Sequence, residues 1–138
     1  MTIAHTAISN AVKLLIGAAV LVIMSIVPVR ADAAELVAVG RASCPYCKAW
    51  EIEVGAIYGR TPEARIAPLR RIDIDAVGNL PYRLREPVLY TPTFIVIDGG
   101  IEIGRIVGYS DEANFWGELD EVLAKLKPER RAPKYSRY

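Results

Sequence analysis

The chain has 138 residues, of which 17 are basic and 16 are acidic, and 52% of its residues are hydrophobic. This length suits one domain, or one domain that follows a leader. The near-neutral charge excludes a general binder of nucleic acids or membrane surfaces, because such a protein needs a surplus of basic residues.

The N-terminal segment is typical of a secretory signal peptide. Lys13 supplies a positive charge, no acidic residue precedes Asp32, and residues 14–27 form an apolar run without charge. This run has the usual length of a signal-peptide core. A membrane anchor is the alternative, but a spanning helix needs roughly 20 apolar residues and the run is shorter.

Small residues mark two candidate cleavage sites, one after Ala31 and one after Ala33. The pattern of a charged start, an apolar run and small residues predicts cleavage and export. We therefore expect a periplasmic protein with a signal peptide at residues 1–31. A single domain is predicted at residues 32–127, followed by a basic tail at residues 128–138 that we expect to be flexible.

The first half of the mature chain predicts two strands and a helix. A short apolar run at residues 36–39 indicates a buried strand. Apolar residues then recur at helical spacing between Tyr46 and Ile57, with Pro45 in a tolerated first-turn position. Residues 69–74 form a second predicted strand. Residues 75–86 leave room only for a short helix.

The second half predicts a hairpin and a final helix. Residues 93–97 are the clearest strand, and an Asp-Gly-Gly turn at residues 98–100 leads to an alternating strand from Ile101. Ser110 is the predicted cap of the last helix, which Pro128 ends. The apolar face of this helix is expected to comprise Phe115, Leu119, Val122 and Leu126.

Both cysteines of the chain lie in Cys44-Pro45-Tyr46-Cys47, directly after the first strand and at the start of the helix. Two intervening residues let the sulfurs meet on a first helical turn, where free N–H groups and the helix dipole favour a thiolate. One sulfur can attack the disulfide of another protein while the other resolves the mixed disulfide. We predict that Cys44 attacks first and that Cys47, one turn inside the helix, is the more buried sulfur.

Other interpretations of the same spacing are weaker. A zinc site needs four ligands, and His5, the only histidine, lies in the leader. A c-type haem needs a histidine where Lys48 stands. Copper handling normally recruits Met or His, and Met1 and Met24 also lie in the leader. A purely structural disulfide remains as an alternative, although so small a loop stabilises weakly. We predict no metal and no tightly bound cofactor.

A second feature is the segment Thr91-Pro92-Thr93-Phe94, which alone indicates an ordinary proline at the start of a strand. Together with the dithiol, the turn at residues 98–100 and the segment at residues 104–109, it resembles the thioredoxin superfamily. The resemblance implies an α/β fold with a central mixed sheet of about four strands flanked by helices. The chain is similar to the minimal, glutaredoxin-sized form of that fold.

The same resemblance implies roles for individual residues. Cys44 would be the nucleophile and Cys47 the resolving thiol, with Pro45 and Tyr46 as active-site neighbours. Pro92 would be a cis proline that faces the dithiol. The backbone groups of Thr91 would then pair with a bound substrate peptide, so that Thr91 and Pro92 form the substrate-binding segment.

Three details indicate where the chain stands within the thioredoxin superfamily, one of them a departure from typical thioredoxins. The Pro-Tyr dipeptide between the cysteines matches glutaredoxins. Ala38 stands six residues before the first cysteine, where thioredoxins commonly have a buried acid. The segments at residues 67–73 and 115–117 resemble the small periplasmic thioredoxins of SoxS type, which belong to bacterial sulfur-oxidation gene clusters.

These observations predict an exported thiol–disulfide oxidoreductase that reduces disulfides or mixed disulfides on a periplasmic partner protein. The SoxS resemblance would make that partner a sulfur-carrier protein, with glutathione as a further candidate co-substrate. A reductase in the periplasm needs electrons from across the membrane, which implies a donor of DsbD type. The alternatives are a DsbA-like dithiol oxidase or isomerase, and a non-catalytic binding module that keeps the thioredoxin fold.

Overall fold

A mixed sheet of four strands organises the domain, in the order β2-β1-β3-β4. The computed structural model describes residues 34–128, so the predicted signal peptide and nearly all of the predicted tail lie outside the described residues. The strands are β1 (Glu35–Gly40), β2 (Leu69–Asp73), β3 (Thr93–Asp98) and β4 (Ile101–Val107). β1 pairs with β2 in parallel and with β3 antiparallel, and β3 pairs antiparallel with β4. The sheet confirms the predicted fold class.

One helical segment follows β1 and carries both cysteines. It consists of α1 (Pro45–Trp50), a π-helical stretch (Glu51–Gly55) and α2 (Ala56–Tyr58), and Gly59 caps its far end as predicted. The sequence predicted a regular helix and did not indicate the π-helical stretch, a distortion that is frequent at functional sites.

Two further helices depart from the prediction in detail. α3 (Pro62–Ile66) was not predicted; the hydroxyl of Thr61 caps it by accepting the N–H of Ala64. The final helix is α4 (Glu112–Leu123). Its cap is Asp111 and not Ser110. The backbone of Asp111 is extended, and its carboxylate accepts the Asn114 N–H at 2.9 Å. The predicted cap at Ser110 is therefore wrong by one residue.

The sheet separates two apolar layers. On one face, strand residues such as Leu36 and Phe94 pack against the cysteine helix and α4, and Phe115, Leu119, Val122 and Leu126 are all buried there as predicted. On the other face, Val37, Val39, Ile95 and Ile97 are covered by a 3₁₀ helix (Ile74–Asn79) and the segment that follows it. This segment leads to Thr91 and Pro92, so the second layer supports the loop that precedes β3.

The hairpin between β3 and β4 turns through two glycines in the left-handed region, Gly99 with φ 58° and Gly100 with φ 77°. Such angles strain residues that carry a Cβ, which explains the Gly-Gly pair. No helix within residues 34–128 is long and apolar enough to cross a membrane.

Candidate active site

The two cysteines form a disulfide at the start of α1, with their Cα atoms 5.3 Å apart. β1 ends at Gly40, and a short turn brings the chain to Cys44, which caps the helix in extended conformation. The backbone N–H of Cys47 donates to the Sγ of Cys44 at 3.1 Å. A sulfur in this position is stabilised as a thiolate, because a helix N-terminus presents free N–H groups and a positive dipole end.

The loop before β3 lies directly against this sulfur. The Thr91–Pro92 peptide bond is cis, the geometry that the resemblance implied, and the Sγ of Cys44 lies 3.5 Å from the carbonyl oxygen of Thr91. Two hydrogen bonds hold the loop: Gly108 N–H donates to the Pro92 carbonyl at 2.8 Å, and the Thr93 hydroxyl donates to the Tyr90 carbonyl at 2.7 Å. Residues distant in sequence therefore meet at one sulfur.

The relative exposure of the two cysteines reverses our expectation. Cys44 is only 8% exposed, whereas Cys47 is half-buried. The loop at Thr91 covers Cys44. Cys47 instead faces Gly40, where an added Cβ would lie 3.5 Å from its Sγ, and an open cavity lies beyond. The prediction that Cys47 is the more buried sulfur is therefore wrong for the disulfide form.

Exposed apolar residues lie on one side of the disulfide. Of the two residues between the cysteines, both are exposed, and Tyr46 presents 62% of its surface to solvent. Leu89 and Tyr90, which precede Thr91, are 71% and 68% exposed. Exposed apolar residues concentrated beside a reactive pair indicate a surface that binds another protein.

A cavity of about 280 Å³ lies behind the disulfide, on the side of Cys47. Its lining includes Ala38, Trp50, Glu51 and Arg71. Trp50 is buried, packing on Phe94 with ring centroids 4.7 Å apart, and its indole N–H has no hydrogen-bond partner among the described residues. Ala38 contributes only a methyl group to this wall.

A bidentate ion pair forms the polar side of the cavity. The Nε and Nη2 of Arg71 donate to the two carboxylate oxygens of Glu51 at 3.0 Å and 2.6 Å. The hydrogen bonds that Arg71 donates to Glu51 raise the pKa of Arg71, although partial burial opposes this effect. The sequence analysis did not predict a role for Glu51 or Arg71. The sequence does place Glu51 four residues after Cys47, a spacing that brings two side chains together on one face of a helix.

No group of three or more His, Cys, Asp or Glu side chains within residues 34–128 could hold a metal ion. The chemistry that the site offers is reversible exchange between the dithiol and a disulfide of another molecule.

Comparison with known proteins agrees with this geometry. The chain matches no family model and no curated protein sequence. It is similar to the solved structure of the periplasmic thioredoxin SoxS from Paracoccus pantotrophus in reduced form, with a TM-score of 0.65 and 32% sequence identity. That match covers 68% of this chain and 99% of the Paracoccus protein.

More distant thioredoxins share the fold. The thioredoxin of Malassezia sympodialis has a TM-score of 0.53 at 18% identity, over 67% of this chain and 79% of its own. The germline-specific thioredoxin Deadhead of Drosophila melanogaster has a TM-score of 0.52 at 22% identity, over 66% and 82%. With 32% identity across nearly all of the Paracoccus protein and a paired Cys44 and Cys47, the chain belongs to the thioredoxin family and is a thiol–disulfide oxidoreductase.

Proposed function

We propose that this protein is an exported thioredoxin that reduces disulfides or mixed disulfides on a periplasmic partner protein. Cys44 is the attacking thiol and Cys47 the resolving thiol. The observation that carries this proposal is the hydrogen bond from the Cys47 N–H to the Sγ of Cys44, at the first turn of α1. It stabilises negative charge on the sulfur that must attack first.

The reaction has two exchanges. The Cys44 thiolate attacks one sulfur of the partner's disulfide, a bond forms between them, and the partner's other sulfur leaves as a thiolate that takes up a proton. Cys47 then loses its proton and attacks Cys44, which releases the partner as a dithiol and leaves the Cys44–Cys47 disulfide. Thr91 and Pro92 bind the substrate, since the carbonyl of Thr91 beside Cys44 is positioned to accept a hydrogen bond from an extended peptide.

One argument supports the reductase direction, and a second supports export and the choice of partner. The Pro-Tyr dipeptide resembles glutaredoxins, whose potentials of roughly −200 to −230 mV lie well below the value of about −120 mV for DsbA. The similarity to a periplasmic SoxS thioredoxin supports export. The resemblance to thioredoxins of sulfur-oxidation gene clusters favours a sulfur-carrier protein as the partner. Reducing equivalents come from a membrane donor of DsbD type, and glutathione is a candidate co-substrate.

A trapping experiment tests the roles of the two cysteines. In Cys47→Ser the second exchange cannot occur, so a covalent complex between Cys44 and the natural partner accumulates. Non-reducing electrophoresis of periplasmic extract detects the complex, and mass spectrometry identifies the partner. Cys44→Ser is the matched control and gives no adduct. Adducts with Cys44→Ser alone would reverse the assignment, and adducts with neither variant would favour a binding module.

Two measurements test the remaining points. N-terminal mass spectrometry of the exported protein is expected to find a chain that begins at Asp32 or Ala34, whereas an intact chain in the membrane fraction contradicts cleavage. The equilibrium with a glutathione redox buffer gives the potential of the dithiol. A value near that of DsbA would indicate an oxidase or isomerase and contradict the reductase direction.

A further inference from the structure

The second exchange requires a proton acceptor for Cys47. Only a thiolate attacks well, and an ordinary cysteine, with a pKa of about 8.5, must lose its proton before it can attack near neutral pH. Ala38, on the strand beneath the disulfide, offers no group that could take the proton. The acceptor must therefore lie elsewhere on the wall that Cys47 faces.

Of the two carboxylates that line this cavity, those of Glu51 and Asp73, only Glu51 lies on the same helical segment as Cys47. The backbone N–H of Glu51 donates to the carbonyl of Cys47, so the two residues lie one helical turn apart. Both line the same cavity of about 280 Å³. The carboxylate is 46% exposed, which leaves a direct route from it to bulk solvent. Glu51 is also the first residue of the π-helical stretch.

Neighbouring residues fix the position of this carboxylate. Arg71 is the register partner of Ala38 on the adjacent strand, and its guanidinium reaches Glu51 and also donates to the Gly55 carbonyl at 3.1 Å. Gly55 leaves the space the carboxylate occupies, because a Cβ there would lie 2.7 Å from the carboxylate of Glu51. Arg71 is therefore a positioning residue for Glu51.

The other charged groups near the cavity have hydrogen-bond or ion-pair partners of their own. The carboxylate of Asp73 accepts the N–H of Asp75 at 2.9 Å, where it caps the 3₁₀ helix. Arg41 pairs with Asp75 at 2.9 Å. Glu53, two residues beyond Glu51, accepts a hydrogen bond from the Tyr109 hydroxyl.

We propose that Glu51 accepts the proton of Cys47 through water in this cavity during resolution of the mixed disulfide. The proton passes from the Cys47 thiol to a water and from that water to the Glu51 carboxylate. The Cys47 thiolate forms a bond with the Sγ of Cys44, the bond from Cys44 to the partner breaks, and the partner leaves as a thiolate. Glu51 then releases its proton to solvent.

The cavity has room and polar partners for such a relay. A water molecule occupies about 30 Å³ of liquid volume and needs two or more polar partners. The volume of the cavity is several times larger. The Arg71 guanidinium and the Glu51 carboxylate, both partly exposed on the cavity wall, are available to such a water as donor and acceptor.

The proposal rests on the proposed function, and one assay separates the two. Reduced protein is mixed with one equivalent of 5,5′-dithiobis(2-nitrobenzoic acid). Attack by Cys44 releases the first thionitrobenzoate, and attack by Cys47 on the mixed disulfide releases the second. The two rates are measured by stopped-flow absorbance across the pH range. Cys47→Ser, which releases only the first equivalent, identifies the phases.

In Glu51→Gln we expect the first phase to be unchanged and the second to slow by about 100-fold at pH 7, the low end of general-base effects. The difference should disappear above about pH 9, where the thiol ionises without help. Arg71→Gln loosens the position of the carboxylate but keeps the proton acceptor, so its second phase should slow clearly less than that of Glu51→Gln. Glu53→Gln is the matched surface control, with both phases unchanged.

A second phase in Glu51→Gln as fast as in the wild type would overturn the proposal. It would also be overturned if Arg71→Gln slowed that phase as much as Glu51→Gln, because the ion pair and not the carboxylate would then be responsible. Absence of the first phase in the wild type would contradict the proposed function itself. A normal first phase with either overturning result would contradict the role of Glu51 alone.

Discussion

The carboxylate of Glu102 and the guanidinium of Arg105 form a bidentate pair inside the domain, with both hydrogen bonds at 2.6 Å. The Glu102 side chain is 1% exposed and that of Arg105 is 10% exposed. Arg105 also donates to the carbonyl of Glu86 at 2.9 Å, and the N–H of Arg85 donates to Glu102 at 2.9 Å. The pair therefore ties β4 to the segment that leads to the Thr91 loop.

Removing one member of this pair should be costly. In Arg105→Met, Glu102 keeps its charge in a buried position without its main partner. We therefore expect the free energy of unfolding to fall by about 3 kcal/mol. Urea denaturation followed by circular dichroism measures the change. Arg60→Met, at an exposed position in the turn after α2, is the matched control and should change stability by less than about 0.5 kcal/mol. A loss in Arg105→Met as small as in the control would contradict the burial of the pair.

The same pair should make the protein sensitive to acid. Burial alone would raise the pKa of Glu102, but the hydrogen bonds from Arg105 and from the Arg85 N–H outweigh it and hold that pKa below its usual value of 4.5. A depressed pKa in the folded state contributes stability above the unfolded pKa and loses it as the pH falls through the folded value. Urea midpoints between pH 7 and pH 2 should therefore fall more steeply for the wild type than for Glu102→Gln. Glu121→Gln, on an exposed position of α4, should follow the wild type.

The dithiol and its loop could be predicted because their signals are local. The cysteine spacing, the helix start at Pro45 and the Thr91-Pro92 segment each lie within a few neighbouring residues, and the structure places them together. The pairings of Glu51 with Arg71 and of Glu102 with Arg105 follow instead from strand register and from a bulge between Val96 and Ile97.

The exposure of the cysteines could not be predicted for a similar reason. Cys44 is covered by a loop 47 residues away, and Cys47 faces a glycine on β1 and a small side chain at Ala38. Position along a helix therefore did not determine burial; the side chains that other elements bring to the helix did. The same local reasoning placed the cap of α4 at Ser110, although both Ser and Asp are good caps and only the backbone geometry selects Asp111.

Replacement of two glycines by alanine should change the stability of the protein in opposite directions. A Cβ at Gly104 on β4 would lie 2.9 Å from a methyl carbon of Val122, which is buried on α4. Overpacking of this kind typically costs about 1–3 kcal/mol. Gly117 lies within α4 with no atom within 4 Å of its Cβ position. There alanine should stabilise by up to about 1 kcal/mol through its helix propensity.

Thermal and urea denaturation of Gly104→Ala and Gly117→Ala measure these changes. Adding Val122→Ala to Gly104→Ala tests the cause, because shortening the valine removes the methyl group that the new Cβ meets. The double variant should be less destabilised than the sum of its two single variants. Strict additivity would contradict the contact between β4 and α4.

The exposed apolar residues before Thr91 should determine how well a protein substrate binds. Leu89 and Tyr90 line a groove of about 210 Å³ together with Val107. They directly precede Thr91, whose carbonyl contacts Cys44. Burial of an apolar side chain contributes about 1.5–3 kcal/mol, so the double variant Leu89→Ala, Tyr90→Ala should raise the KM for a protein disulfide by about tenfold or more. Reduction of insulin disulfides measures KM and kcat. The first phase with 5,5′-dithiobis(2-nitrobenzoic acid) should stay unchanged, because a small disulfide reaches Cys44 without the groove. Ile101→Ala, an exposed apolar residue at the opposite end of β4, is the matched control. A KM for the double variant equal to that of the control would mean that protein substrates approach Cys44 from another side.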